Sequence, residues 1–467
     1  MRVVLHGFGS FPIVFWHMIQ YAKQIQAPIE WAIILTSDHH QALFTELLGA
    51  DRVIVLDHAG STPLAGEESW IYPGALYRDI EAEKRTFKFA RAAIQRDRAM
   101  GMYRQVKRFM HYFSPSHALV SQVEGFDGKV FIAAAREHGA EVVVPTSCRN
   151  LGGLFFSPDD LETLPWYASD DIPAHRLAAD EFIRSFRESP KPARWKSDSS
   201  DDDRLDSFAK PFSVRATAAL KRWLFTPNGF QWDYLRASVL NNLPIISNAI
   251  WEMRRRMNEH YCDVRSLDDL PKKFIFYPLQ FSPESSINTP APYFLEQFRA
   301  IDAIRFAMPS DCLLVVKEHP TCILVRDGAF ARRLQRTAGV VVAHYGLPSI
   351  ELVKRAGLTI SVTGTATFEA LLLGRRAITL GNSLASGFLG GVCSLDDLTE
   401  RIETEFGMEI PYADVVSSTS SLLSVRHEIS FGSPGEPGEP ILRRQNIECM
   451  TLAFIEHCRK SKSPSIC

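Results

Sequence analysis

Three short apolar runs in the C-terminal half of the chain each end in a cluster of polar side chains. The clusters are QFSPE at residues 280–284, KEHP at 317–320 and TGTAT at 363–367. Each run has the length and the β-branched or aromatic content of a buried strand. In open α/β sheets, ligands bind outside the carboxyl ends of the strands. The clusters therefore predict a binding site at that edge of a sheet.

The TGTAT cluster is suited to a phosphate group. A helix is predicted from about residue 366 to 373, so its free backbone N–H groups and its positive dipole end would lie at the strand tip. Gly364 allows the backbone to approach a ligand closely, and the hydroxyls of Thr363 and Thr365 add donors. An ordinary helix cap made by a threonine explains the same residues equally well.

The other two clusters carry groups that can bind or activate a ligand. His319 can donate to a phosphate or to a leaving oxygen, and Lys317 adds a positive charge. A histidine held by local hydrogen bonds is the alternative, and for a lone histidine it is the more frequent one. Gln280 and Glu284 supply an amide and a carboxylate that can read a ribose or a base, with loop capping as the alternative.

A second set of candidates lies in the N-terminal half. The segment SQVEGFDG follows an apolar run and contains Glu124 and Asp127. A carboxylate at a strand tip can act as general base toward a hydroxyl or as nucleophile at a sugar carbon, while Asp127 can equally cap the next helix. Arg149 can bind an anionic group, with an unengaged surface arginine as the alternative. The remaining candidates on this side belong to one glycine-containing loop: His6, Gly9 and Ser10.

The elements that must position these residues alternate between strands and helices in both halves of the chain. Such alternation is typical of parallel βαβ units and predicts an α/β fold with two Rossmann-like domains. A helical insertion is expected between the domains, and a helix at the C-terminus. The predicted boundaries are a first Rossmann-like domain at 1–170, an acidic mobile loop and helical connection at 171–265, a second Rossmann-like domain at 266–405, and a linker with the C-terminal helix at 406–467.

Composition excludes several classes of function. The chain has 467 residues, 46% of them hydrophobic and 23% charged, and a net charge of -2, which argues against binding of nucleic acid through bulk electrostatics. A P-loop motif is absent, as is any apolar run near the roughly 20 residues needed to span a bilayer. The eight cysteines show no metal-ligand spacing and predict reduced thiols in the cytoplasm. Neither a metal nor another cofactor is expected, because the DDD run at 201–203 falls in the probable mobile loop.

In order and spacing, the three C-terminal clusters resemble those of the bacterial capsule polysaccharide biosynthesis family, which includes Kdo transferases of GT-B architecture. The segments that carry the resemblance are YPLQFSPES at 277–285, VKEHP at 316–320 and VTGTATFEA at 362–370. The resemblance covers about 274–381 well and 121–153 more loosely. It implies a GT-B-like pair of domains with the acceptor in the cleft between them.

The resemblance also implies roles for individual residues. The N-terminal domain would be the acceptor side and carry the catalytic carboxylate, mapped to Glu124 first and Asp127 second, with His319 as a further catalytic group. The C-terminal domain would bind a CMP-sugar donor, whose single phosphate His319 and the helix start at Thr365 can meet without a metal. The donor-binding residues would be Gln280, Glu284, Lys317, His319, Pro320, Thr363, Gly364, Thr365 and Glu369.

The function expected from the sequence is a metal-independent glycosyltransferase in the cytoplasm. It would move an acidic sugar, Kdo or sialic-acid-like, from CMP onto a bacterial surface polysaccharide or glycolipid. Two alternatives stay open: a non-catalytic binding component of capsule assembly, and a GT-B-like sugar-nucleotide epimerase. The KRWLF segment at 221–225 could contact the inner face of the cell membrane, or it could belong to an amphipathic core helix.

Overall fold

The computed structural model describes most of the chain as two compact units. The described residues are 1–57, 63–67, 69–82, 92–121, 123, 125–191, 256, 259–280, 285–319, 328–430 and 440–460. Within them, unit 1 comprises residues 1–169 and 421–460, and unit 2 comprises 170–191 and 256–420. Most of the predicted acidic loop and helical connection at 171–265, including the KRWLF segment, and residues 431–439 of the predicted linker lie outside the described residues.

Unit 1 is built on a sheet of six strands among its described residues. They are β1 (Arg2–Gly7), β2 (Glu30–Leu35), β3 (Val53–Val55), β4 (His117–Val120), β5 (Glu141–Ser147) and β6 (Leu154–Ser157). The order across the sheet is β3-β2-β1-β4-β5-β6. Neighbouring strands are parallel except β5 and β6, which are antiparallel. The direction of winding therefore reverses between β1 and β4, which makes this pair the switch point of unit 1.

Helices cover both faces of this sheet, which explains why its central strands are apolar on both faces. Numbered along the whole chain, they are α1 (Pro12–Gln24), α2 (Gln41–Leu48), α3 (Leu76–Ala82), α4 (Ala92–Phe113), α5 (Phe126–His138) and the C-terminal α15 (Arg444–Lys460). One core joins α1 and α15 to the sheet through buried side chains such as Met18 and Phe454. The other joins α4 and α5 to the opposite face, with Phe131 among its members.

Unit 2 repeats the design with five parallel strands among its described residues. They are β7 (Phe274–Pro278), β8 (Leu313–Lys317), β9 (Val340–Ala343), β10 (Leu358–Ser361) and β11 (Ala377–Thr379). The order is β11-β10-β7-β8-β9, and all neighbours are parallel. The chain winds from β7 to β9 and then returns to the other side of β7, so the switch point of unit 2 lies between β7 and β10.

The helices of unit 2 vary in length from four residues in α7 to 16 residues in α6. They are α6 (Pro173–Glu188), α7 (Ser285–Asn288), α8 (Phe298–Ala307), α9 (Gly328–Gln335), α10 (Ser349–Arg355), α11 (Thr365–Leu372), α12 (Leu384–Phe388), α13 (Leu398–Glu405) and α14 (Tyr412–Val425), the last five residues of which belong to unit 1. The core of this unit gathers the inward side chains of its strands, such as Ile275 and Val316. Two parallel sheets with helices confirm the predicted α/β class with two Rossmann-like domains. None of the helices in the described ranges combines the length and apolar character needed to cross a bilayer.

Candidate functional site

The switch point of unit 2 is bridged by a hydrogen bond between two buried side chains. Gln280, two residues beyond β7, donates from Nε2 to the Oγ atom of Ser361 at the end of β10, over 2.9 Å. The backbone N–H of Gln280 donates to Oε1 of Gln297, 3.2 Å away, which lies just before α8. Gln280 is therefore held from two sides at the carboxyl ends of β7 and β10.

The start of α11 joins this group. The N–H of Gly364 donates to the same Ser361 oxygen over 2.8 Å. A Cβ atom at Gly364 would lie 2.7 Å from Ser361 Oγ and 2.9 Å from Gln280 Nε2, so this close approach requires glycine. Thr363 is buried and Thr365 is the first residue of the helix. The structure thus brings Gln280, Thr363, Gly364 and Thr365 together at a helix N-terminus, an arrangement that favours an anion.

Lys317, at the end of β8, points its charge into the interior of unit 2. Its Nζ atom donates to Ser349 Oγ over 2.9 Å, at the first residue of α10. Burial lowers the pKa of Lys317 to about 8, although Glu318 and Glu369 favour its charged form. Both carboxylate side chains are themselves buried. Strongly perturbed ionisable groups near a crevice are typical of functional sites.

His319 lies at the same edge of the sheet and is exposed. Its backbone N–H donates to Oε1 of Glu318 over 2.7 Å, which fixes the chain where it leaves β8. The next predicted residue, Pro320, lies outside the described residues, as does Glu284. In unit 2 the described candidates therefore come from three adjacent strands, β10, β7 and β8.

At the switch point of unit 1, the structure pairs two candidates that the sequence left separate. His6 in β1 and Asp127 in the first turn of α5 are both buried, and His6 Nε2 lies 3.1 Å from Asp127 Oδ2. The other ring nitrogen of His6 lies 3.4 Å from the Oγ atom of Ser121, one residue beyond β4. Glu124, the first-ranked catalytic carboxylate, lies outside the described residues.

The remaining candidates of unit 1 take different positions. Gly9 is exposed and has a φ angle of 59°, as required in the turn between β1 and α1, while Ser10 is half-buried and its carbonyl accepts from the N–H of Ile13. Arg149 forms an ion pair with Glu162. An anion bound by Arg149 would have to compete with this carboxylate.

Sequence reasoning missed three residues that hold the site together: Ser349, Ser361 and Gln297. Ser361 closes an apolar strand, where a single hydroxyl gives a weak signal, and Gln297 and Ser349 stand at helix starts in unremarkable surroundings. In the described part of the chain, no three His, Cys, Asp or Glu side chains are arranged to hold a metal ion.

Comparison with known proteins supports the resemblance read from the motifs. Residues 233–392 match the family model described as capsule polysaccharide biosynthesis protein. This stretch contains the three C-terminal clusters of polar residues, and the resemblance to that family is confirmed for it. The sequence matches no curated protein significantly.

Solved structures with some likeness to the chain include transferases and epimerases. The KpsC beta Kdo 2,4 transferase of Thermosulfurimonas dismutans is 14% identical, with 66% of this chain and 79% of that chain covered and a TM-score of 0.34. The beta Kdo 2,7 transferase of the same organism is 13% identical, with coverages of 68% and 87% and a TM-score of 0.32. The UDP-GlcNAc 2-epimerase of Neisseria meningitidis is 12% identical, with coverages of 98% and 100% and a TM-score of 0.23.

Proposed function

We propose that the protein is a glycosyltransferase that moves an acidic sugar, Kdo or sialic-acid-like, from a CMP-activated donor onto a bacterial surface polysaccharide or glycolipid. The observation that carries the proposal is the switch point of unit 2, where Gln280, Ser361 and Gly364 form one hydrogen-bonded group beside the start of α11. This group lies within the stretch that matches the capsule polysaccharide family model.

The donor phosphate is assigned to the start of α11. There the free N–H groups and the hydroxyls of Thr363 and Thr365 offer donors, and the helix dipole favours negative charge. His319 is exposed at the tip of β8, which lies on the other side of β7 from β10, and it donates to the phosphate or to the leaving oxygen. Gln280 and Glu284 read the nucleoside. A single phosphate is within the capacity of this donor set, so the proposal needs no metal.

The acceptor is assigned to unit 1, with a carboxylate of the segment after β4 as the catalytic group. Of the two candidates, Asp127 is the one that the structure describes, and it carries this part of the proposal. During transfer, the bond between the anomeric carbon and the phosphate oxygen breaks, and the electron pair leaves on CMP. A bond forms from the acceptor oxygen to that carbon, and the acceptor hydroxyl loses its proton. With inversion at the anomeric carbon, Asp127 is the base that takes this proton. With retention, Asp127 bonds to the anomeric carbon first as CMP leaves, and the acceptor oxygen then displaces Asp127 while the phosphate of the released CMP takes the proton.

Binding measurements test the donor site first. We expect CMP, and not UDP, to raise the unfolding temperature of the full chain. Stabilisation by UDP alone would contradict the CMP assignment. Substitution Gly364→Ala serves as the site-directed control, because its methyl group displaces Gln280 and Ser361 and should remove most of the CMP-dependent shift.

Turnover is tested with a CMP-activated acidic sugar and a panel of capsule-type acceptors. We expect His319→Ala to lower kcat by about 100-fold or more, the range of a lost acid or phosphate donor. His260→Ala is the matched control, an exposed histidine elsewhere in unit 2, and should leave kcat unchanged. Full activity of His319→Ala would refute the assigned role. Product formed without acceptor would identify an epimerase, and CMP binding without turnover would favour a non-catalytic component.

A further inference from the structure

We infer that His6 is a positioning residue for Asp127, which it holds through one carboxylate oxygen while the other stays available for the reaction. This inference rests on the proposed function, because it assumes that Asp127 is the catalytic carboxylate. The juxtaposition that carries it is the buried series of Ser121, His6 and Asp127 at the switch point of unit 1.

The imidazole of His6 is fixed in place by its surroundings. Its side chain has no exposed surface, and the ring packs 5.2 Å from that of Phe131 and 6.3 Å from that of Phe8. Rotation of the ring would push it into these aromatic neighbours, and a well-packed interior resists such movements. His6 can therefore hold a partner in one orientation.

The hydrogen bonds around His6 also select its tautomer. The backbone N–H of Phe8 donates to Ser121 Oγ over 3.3 Å. A hydroxyl that already accepts this bond is free to donate its proton to Nδ1 of His6, 3.4 Å away. Nε2 then carries the ring proton and donates it to Oδ2 of Asp127. Each hydrogen bond of the series therefore has its donor on the side of the loop after β1 and its acceptor on the side of Asp127.

This arrangement engages one of the two carboxylate oxygens of Asp127. The carboxylate lies in the first turn of α5, where the helix dipole favours negative charge. In the described part of unit 1, the hydrogen bond to this carboxylate is made at Oδ2. Oδ1 keeps its lone pairs, which can take a proton from a hydroxyl or attack a carbon.

Kinetics of two His6 variants test the inference. His6→Gln can keep an amide N–H near the position of Nε2, whereas His6→Leu removes the donor. We expect His6→Leu to lower kcat by at least 100-fold, with an unchanged KM for the donor, and His6→Gln to stay within about tenfold of the unsubstituted enzyme. His138→Gln, at the far end of α5, is the control and should have no effect. An unchanged kcat in a folded His6→Leu enzyme, or equal losses in both His6 variants, would overturn the inference.

A spectroscopic test decides the question without turnover. In the full chain labelled with ¹⁵N-histidine, His6 is assigned by the signal that disappears in His6→Gln. We expect the tautomer protonated at Nε2, with a changed Nε2 shift in Asp127→Asn. A His6 ring protonated only at Nδ1 would overturn the inference. Absence of turnover in the unsubstituted protein would contradict the proposed function alone, because the tautomer result stands independently of it.

Discussion

Acidification should destabilise unit 1 through His457. This residue of α15 is 3% exposed, and its Nδ1 atom lies 2.8 Å from the hydroxyl of Tyr167. Burial, together with the positive charges around the ring, lowers the pKa of His457 to about 4 from an ordinary value of 6.5. One carboxylate, that of Glu141, lies 3.7 Å from Nε2 but is partly exposed and does not offset burial. The cationic or ionisable neighbours are His117, His427 and Lys460.

The sign and size of the effect follow from proton linkage. Between pH 6.5 and 4 the unfolded chain binds a proton at His457 that the folded chain resists, so the folded state loses stability as the pH falls. With pKa values of 6.5 and about 4, the loss has an upper limit of about 3.4 kcal/mol, and about 2.5 kcal/mol is reached at pH 4.5. The stability is fully present above the unfolded value of 6.5.

Hydrogen exchange of the peptide covering α15, followed in urea at pH 7.0, 5.5 and 4.5, measures this free energy locally. His457→Asn retains a polar group near the position of Nδ1, but this group does not titrate. When the pH is lowered from 7.0 to 4.5, the free energy of opening of α15 should therefore decrease by about 2 kcal/mol less in His457→Asn than in the unsubstituted chain. His39→Asn is the control, because His39 is exposed. Equal pH slopes for His457→Asn and the unsubstituted chain would refute the reasoning, whatever their absolute stabilities.

Three further predictions concern individual residues. Gly364→Ala should lower the affinity for CMP by about tenfold, because roughly one hydrogen bond is lost, and should change the unfolding temperature of the free protein only slightly. Calorimetric titration with CMP measures the affinity, and an unaltered value would contradict the prediction. Gly153→Ala should destabilise unit 1 by about 3 kcal/mol or more in urea melts, since Gly153 has a φ of 79° and its Cβ would lie 2.3 Å from a backbone oxygen. Cys148, buried and with its pKa raised to about 12, should resist maleimide at neutral pH while exposed Cys449 reacts; equal labelling of both peptides would count against this.

Strands with strong local signals were predictable from the sequence. The three apolar runs of the C-terminal half, expected to end just before residues 280, 317 and 363, became β7, β8 and β10, and the structure ends these strands within one or two residues of those points. β9 and β11, of four and three residues, were not predicted, because no cluster of polar or turn-forming residues singled out the short apolar runs that form them. β6 was missed as well, although Gly152 and Gly153, both with positive φ, mark the turn that makes it antiparallel.

The composition of the site was less predictable than its location. The rule that ligands bind at strand ends pointed to the carboxyl edge of each sheet, but it does not say which side chains pair there. His6 and Asp127 are 121 residues apart, and Gln280 and Ser361 are 81 apart. Pairing over such distances depends on strand order, which local sequence does not encode. The packing of α15 against the sheet of unit 1 was unpredictable for the same reason. The sequence of an amphipathic helix shows that one face is apolar, but it does not show which surface covers that face.

The two switch points occupy the same position in their sheets, but the side chains that meet there differ in charge. In unit 2 the central strands are joined by a neutral amide and a neutral hydroxyl, with a helix N-terminus beside them. Such a group has no charge of its own and suits a ligand that brings one, such as a phosphate. In unit 1 the corresponding pair contains the carboxylate of Asp127, which would repel an anion and suits a neutral hydroxyl. This difference in charge supports the proposed assignment of the anionic donor to unit 2 and of the acceptor hydroxyl to unit 1.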